Sequence, residues 1–116
     1  MKKKHVINKN KDFCKAYKRG RYTASGVLVT YVVKNNLKML RFGITTSKKT
    51  GNAVKRNRSR RVIRAALSQI KDKILSGYDV VFVSRKKTSE VKTDEVLESM
   101  RSQLLKLGLI KWKRFL

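Results

Sequence analysis

The chain has 116 residues and carries 31 lysines and arginines against 7 aspartates and glutamates, a formal net charge of +24. Hydrophobic residues make up 41%, enough for one domain with a modest core and too many for a disordered polycation. A lone cysteine (Cys14) and a lone histidine (His5) exclude an internal disulfide, a cysteine-based zinc site and a His-rich metal site, and no run of about 18 apolar residues is present to span a membrane.

Self-repulsion at this charge opposes a compact state, and a polyanionic partner offsets it most simply. Nucleic acid is the expected partner. The basic start, Met1 to Lys4, looks like the n-region of a signal peptide, but Lys9, Lys11 and Lys15 interrupt the place where an apolar segment would lie, which predicts a cytoplasmic protein. With no proline and no internal repeat, residues 1–116 are expected to form a single domain. Residues 1–10 read as a flexible basic arm and 109–116 as a loosely held basic tail.

In chain order, residues 11–19 form a short predicted helix, with Phe13, Ala16 and Tyr17 on one stripe and Gly20 as its stop. Cys14 reads as a small helix residue rather than a nucleophile, since no histidine lies near it in sequence. Residues 26–33 are rich in valine and predict a strand. Asn35-Asn36 is a turn signal. Residues 38–46 predict a second strand, Leu40, Phe42 and Ile44 alternating with Met39, Arg41 and Gly43. The two strands are expected to pair as an antiparallel hairpin.

Asn52 is a candidate helix N-cap. The helix it opens is expected over residues 53–75, with Ile63, Ala66, Leu67, Ile70 and Ile74 on one apolar stripe that needs a sheet to lie on. Val80 to Val83 is a continuous apolar run within a predicted strand over 79–84, as an inner strand requires. A last helix over 94–107 has Val96, Leu97, Met100, Leu104 and Leu107 on its apolar side and Asp94 and Glu95 in its first turn, where the helix dipole favours acids. The pattern is helix, strand, strand, helix, strand, helix, an α+β architecture with helices packed on a small sheet.

Residues 48–64 carry the chemistry. They hold eight basic residues (Lys48, Lys49, Lys55, Arg56, Arg58, Arg60, Arg61 and Arg64) and no acid. At about 100° per residue, Arg56, Arg60 and Arg64 stack on one ridge and Asn57 and Arg61 on the next, while Lys55 and Arg58 point elsewhere. Like charges at i, i+4 repel, and cations at a helix N-terminus oppose its dipole. A helix that needed only solvation would mix acids into this face. The planar forks of arginine suit phosphate oxygens, and a helix N-terminus adds its own amides to an anion site.

This stretch, Lys48-Lys49-x-Gly-Asn-Ala-Val-x-Arg-Asn-Arg-x-x-Arg-x-x-Arg, resembles the signature of the bacterial ribonuclease P protein family. Arg41, Gly43, Ile44 and Ser47 fit the family's strand before the signature. Asp79-Val80-Val81 and Arg85 fit the strand after it, and Asp12-Phe13, Tyr17 and Gly20 its first helix. Two departures are Thr46 and Thr50, where valine and an aliphatic residue are common. The resemblance implies an α+β fold with a mixed sheet of about four strands, in the order α-β-β-(β)-α-β-α, and a left-handed crossover joining two parallel strands through the signature helix. The general rule favours right-handed crossovers.

It also implies a function. The chain would be the protein component of a ribonucleoprotein endoribonuclease that removes the 5′ leader of precursor tRNA, with Mg²⁺ held mainly by the catalytic RNA, no cofactor held tightly by the protein, and no catalytic residue in it. By resemblance Lys55, Arg56, Asn57, Arg58, Arg60, Arg61 and Arg64 contact the RNA subunit. Phe13, Tyr17, Tyr31, Ser47, Lys48 and Lys49 border a cleft for the single-stranded leader. Residue spacing alone leaves Phe13 and Tyr17 open to plain core packing, and Tyr31, alternating with Val27, Val29 and Val33, open to the same. Neither a membrane nor a protein oligomer is required.

Three other classes are to be weighed. A ribosomal RNA-binding protein shares the size, the charge and the arginine helix. A membrane-active cationic helix would lack the valine-rich strands. A stand-alone metal nuclease would need clustered carboxylates, and most of the seven acids (Asp12, Asp72, Asp79, Glu90, Asp94, Glu95, Glu98) fall at the last helix start and its lead-in.

Overall fold

The computed structural model describes residues 5–111. The elements are α1 (Asn10–Arg19), β1 (Arg21–Ala24), β2 (Leu28–Lys34), β3 (Arg41–Thr45), α2 (Ala53–Ile70), β4 (Tyr78–Ser84) and α3 (Thr93–Lys106), with short 3₁₀ turns at Lys48–Thr50, Lys71–Lys73 and Lys86–Glu90. The four strands form one mixed sheet in the order β1-β2-β4-β3. β2 runs antiparallel to both β1 and β4, whereas β3 runs parallel to β4, the two being joined through α2.

The alternation of each strand sends its side chains to two different layers. Leu28 and Val32 of β2, Phe42 of β3, and Val80 and Phe82 of β4 pack with Val62, Ile63, Ala66, Leu67 and Ile70 of α2 and Val96, Met100 and Leu104 of α3. The opposite face carries Val81 with Val33, Val83 and Tyr31, covered by Ile7, Phe13 and Ala16 of the N-terminal segment and α1. One buried polar link crosses the main core: the Thr30 hydroxyl donates to Gln103 Oε1 (2.6 Å), and Gln103 Nε2 donates to the Leu28 carbonyl (2.7 Å), so the amide's buried oxygen and nitrogen are both satisfied.

The expected β2–β3 hairpin does not form, because β4 lies between the two strands. Val80 to Phe82 are fully buried and serve both faces of the sheet, so this strand takes an inner position and displaces the local pairing. The Asn35-Asn36 turn is present, with Asn36 at φ 59, but it carries the chain across the start of β4. The Asn35 amide nitrogen donates to the Met39 carbonyl (3.0 Å) and to Asp79 Oδ1 (2.9 Å), fixing that crossing.

Three boundaries also shift. The fourth strand is β1, in a segment without apolar alternation. α2 stops at Ile70, and the 3₁₀ turn Lys71–Lys73 continues to Ile74. The expected arm and tail are both partly structural. Ile7 is buried and its N–H donates to the Phe42 carbonyl (2.7 Å), which covers the outer edge of β3. Leu109 and Ile110 are buried in the main core. Residues 1–4 and 112–116, the remainder of that arm and tail, lie outside the described residues.

Candidate nucleic-acid interface

The first surface is the outer side of α2. Asn52 caps the helix as its sequence position predicts, its side-chain oxygen accepting from the Lys55 N–H (3.0 Å). The buried side takes Ser59, Val62, Ile63, Ala66, Leu67 and Ile70, which leaves Lys55, Asn57, Arg58, Arg61 and Arg64 exposed and Arg56 and Arg60 half-buried. Arg56 Nη1 donates to the Gly51 carbonyl (3.0 Å), Arg60 Nη1 to Asn57 Oδ1 (3.0 Å) and Arg58 Nε to the Ser89 carbonyl (2.8 Å). Among the described residues, no carboxylate pairs with any cation of this helix; the ion pairs there all involve Arg41. Arg56, Arg58 and Arg60 are therefore positioned by neutral oxygens, with no carboxylate of the described residues to compete with an external anion.

The second surface lies on the opposite face of the sheet, beside α1. Tyr17, 40% exposed, sets its ring edge-on to Tyr31 at 5.0 Å, and its hydroxyl shares a hydrogen bond with Thr45 (3.1 Å). Phe13, one turn earlier, is half-buried over β3. A hollow continues past the tyrosines, with Val29 and Val83 as its floor and Ser47, Lys49, Arg85, Lys86 and Lys87 around it. Of the expected cleft residues, the structure thus brings Phe13, Tyr17, Tyr31, Ser47 and Lys49 to one face. Lys48 is exposed in the same 3₁₀ turn but does not line the hollow.

This turn is bound to the sheet by the buried Thr50 hydroxyl, which pairs with the Ser84 hydroxyl at 2.8 Å. That pairing accounts for the polar residue at a place where an aliphatic is common. Because Gly51 and Asn52 follow directly, the turn borders both the cleft and the start of α2.

Sequence reading missed Tyr22, Lys86 and Lys87. Tyr22 belongs to β1 and stacks on Tyr31 (5.2 Å, 27° between planes). The available signal was the Ser25-Gly26 turn, since a hairpin folded there sets Tyr22 opposite Tyr31.

Under the N-terminal half of α1, Arg41 holds Asp79 through two hydrogen bonds, Nε to Oδ1 (2.8 Å) and Nη2 to Oδ2 (2.6 Å), with Asp12 3.6 Å away. Asp79 is 1% exposed. Its hydrogen bonds, opposed by partial burial, hold the Arg41 pKa above its ordinary value. The pair ties β3 to β4. No cluster of three or more His, Cys, Asp or Glu side chains suited to a metal occurs among the described residues.

The Ribonuclease P family model matches residues 1–108. The chain belongs to the ribonuclease P protein family. A ribonuclease P protein component from Bacillus cereus strain Q1 is 39% identical over 98% of this chain and 100% of its own length. The component from Pelotomaculum thermopropionicum is 40% identical over 86% of this chain and 89% of its own. Among solved structures, a Staphylococcus aureus RNase P protein superposes with a TM-score of 0.81 at 32% identity, covering 92% of this chain and 98% of that one. The Thermotoga maritima RNase P protein gives 0.69 at 30% identity, covering 88% and 93%. Membership makes the chain a component of a ribonucleoprotein endoribonuclease of tRNA processing, associated with ribonuclease P RNA. No helix among the described residues is long and apolar enough to cross a membrane.

Proposed function

We propose that the outer side of α2 docks on the ribonuclease P RNA while the α1 face of the sheet holds the 5′ leader of precursor tRNA. The observation that carries the proposal is a run of arginines with no carboxylate partner among the described residues on one layer, with an aromatic cleft rimmed by lysines on the other. Lys55, Arg56, Asn57, Arg58, Arg60, Arg61 and Arg64 would grip folded RNA through its phosphates, giving affinity with little sequence demand. Single strands are held differently, by rings that stack on bases and cations that follow the backbone. Tyr17, Tyr31 and the wall formed by Phe13 supply the first; Lys48 and Lys49 supply the second, with the Ser47 hydroxyl beside them as a hydrogen-bonding group.

The chain's role is binding and positioning, with the bond cleaved by the RNA subunit and its Mg²⁺. Asp12 and Asp79, the acids nearest the cleft helix, are engaged by Arg41 rather than free to hold an ion there. Neutralising phosphates on both RNAs lowers their mutual repulsion, which is how a protein with no catalytic residue raises activity when Mg²⁺ is scarce.

Reconstitution tests this reading. Added to a bacterial ribonuclease P RNA at low Mg²⁺, the protein should restore cleavage of precursor tRNA at the leader junction. No stimulation, together with recovery of ribosomal RNA on the protein purified from cells, would favour the ribosomal alternative.

A further inference from the structure

We infer that Tyr22 adds a base-stacking position to the cleft at the edge of the sheet, so that the site holds a longer single strand than Phe13, Tyr17 and Tyr31 alone provide. The inference rests on the leader reading above. It starts from three rings in a continuous row: Tyr17 edge-on to Tyr31 at 5.0 Å, and Tyr22 stacked on Tyr31 at 5.2 Å. The end of the row is open, since Tyr22 is 63% exposed and the sheet order places β1 at the edge of the sheet.

A tyrosine placed only to stabilise the edge strand would cover its ring. This one covers Tyr31 and leaves most of its own surface to solvent, as a stacking platform does.

The neighbouring contacts fasten the strand that carries the ring. Arg21, adjacent on β1 and so directed to the other face, donates from Nη2 to the Leu107 carbonyl at the end of α3 (2.8 Å). Ser25, in the turn after β1, bonds Ser99 of α3 at 2.6 Å. Both ends of this four-residue edge strand are therefore fastened to α3, and the ring is presented on a fixed backbone. Preorganisation of this kind reduces the ordering cost of binding.

The test uses the full chain assembled with a bacterial ribonuclease P RNA, and a series of precursor tRNAs whose leaders grow one nucleotide at a time. For the wild-type protein, affinity should rise with leader length and then level off. For Tyr22→Ala the curve should level off at least one nucleotide earlier. Its plateau should fall about fivefold, the low end of what one base stacked on an aromatic ring is worth, with mature tRNA bound as before. Tyr22→Phe should follow the wild type. Tyr22→Leu, which keeps apolar cover over Tyr31 but offers no ring, should follow Tyr22→Ala and serves in its place if the alanine variant unfolds. A 2-aminopurine placed at successive leader positions should lose one site of quenching in Tyr22→Leu.

If Tyr22→Ala and Tyr22→Leu match the wild type while Tyr17→Ala loses leader affinity, Tyr22 has no part in binding and the cleft reading stands. If Tyr17→Ala is silent as well, both fail together. A loss equal for every leader and for mature tRNA would make Tyr22 a structural residue and overturn the inference.

Discussion

The ring of Phe13 occupies the space that a side chain at residue 43 would need. A Cβ on Gly43 would fall 2.6 Å from Phe13 Cε1 and 3.3 Å from the Ile7 Cβ. Gly43 is therefore required by close packing of α1 on β3, and it determines how deep Phe13 sits in the wall of the cleft. Gly43→Ala should push Phe13 outward and cost about 1–3 kcal/mol in urea unfolding. It should also weaken leader-dependent binding while leaving affinity for mature tRNA within error.

The arginines of α2 divide by what holds them. Arg64 and Arg61 are exposed, with no hydrogen bond to the rest of the protein among the described residues, whereas Arg58 is tied to the Ser89 carbonyl. Arg64→Ala should lower affinity for ribonuclease P RNA about tenfold with an unchanged thermal midpoint. Arg58→Ala should lower both affinity and stability, the latter by about 0.5–1.5 kcal/mol because the part-buried bond to the Ser89 carbonyl is lost. Filter binding and thermal melts on the same preparations distinguish the two.

Salt dependence checks the electrostatic premise directly. The logarithm of the RNA binding constant should fall linearly with the logarithm of salt concentration, with a slope of about 0.7–0.9 per phosphate neutralised. Arg56→Ala and Arg60→Ala should each make that slope shallower by about one such increment. A flat response in the wild type would contradict phosphate docking on this helix.

Removal of an aromatic ring should separate the two surfaces. Phe13→Ala or Tyr17→Ala is expected to reduce affinity for leader-bearing precursor by about 1–3 kcal/mol per base stack and to leave binding of the RNA subunit intact. Equal losses on precursor and mature tRNA would remove the leader from the cleft.

Arg41 and Asp79 provide a test of the fold beneath the cleft. Arg41→Met leaves a buried carboxylate without its bidentate partner and should cost about 3–5 kcal/mol, while Asp12→Asn, at 3.6 Å and partly exposed, should cost less than 1 kcal/mol. The double variant Arg41→Met, Asp79→Leu should recover much of the loss, since neither charge is then stranded.

Much of the molecule can be read locally. The helical stripe from Ile63 to Ile70, the Asn52 cap and the inner-strand character of Val80 to Val83 are properties of residues near one another in the chain, and each appears as expected, whereas Ile74 is buried from beyond the helix end. The clearest failure is the pairing of β2 with β3. Short connections favour hairpins, but a strand that can bury both faces gains more from the centre of the sheet, and that preference acts across the whole chain. The arm misled for a related reason. Val6 and Ile7 are two apolar residues among polar ones, too few to show a period, and only the open edge of β3 gives them a place.

The sequence by itself determined the charge, the helices with their buried stripes, and the family signature, because these depend on composition and on spacings of three to four residues. Tertiary structure alone decided that β4 separates β2 from β3 and that Arg41 finds Asp79 38 residues away. Those outcomes follow from the competition among strands for burial on both faces, which no local pattern encodes.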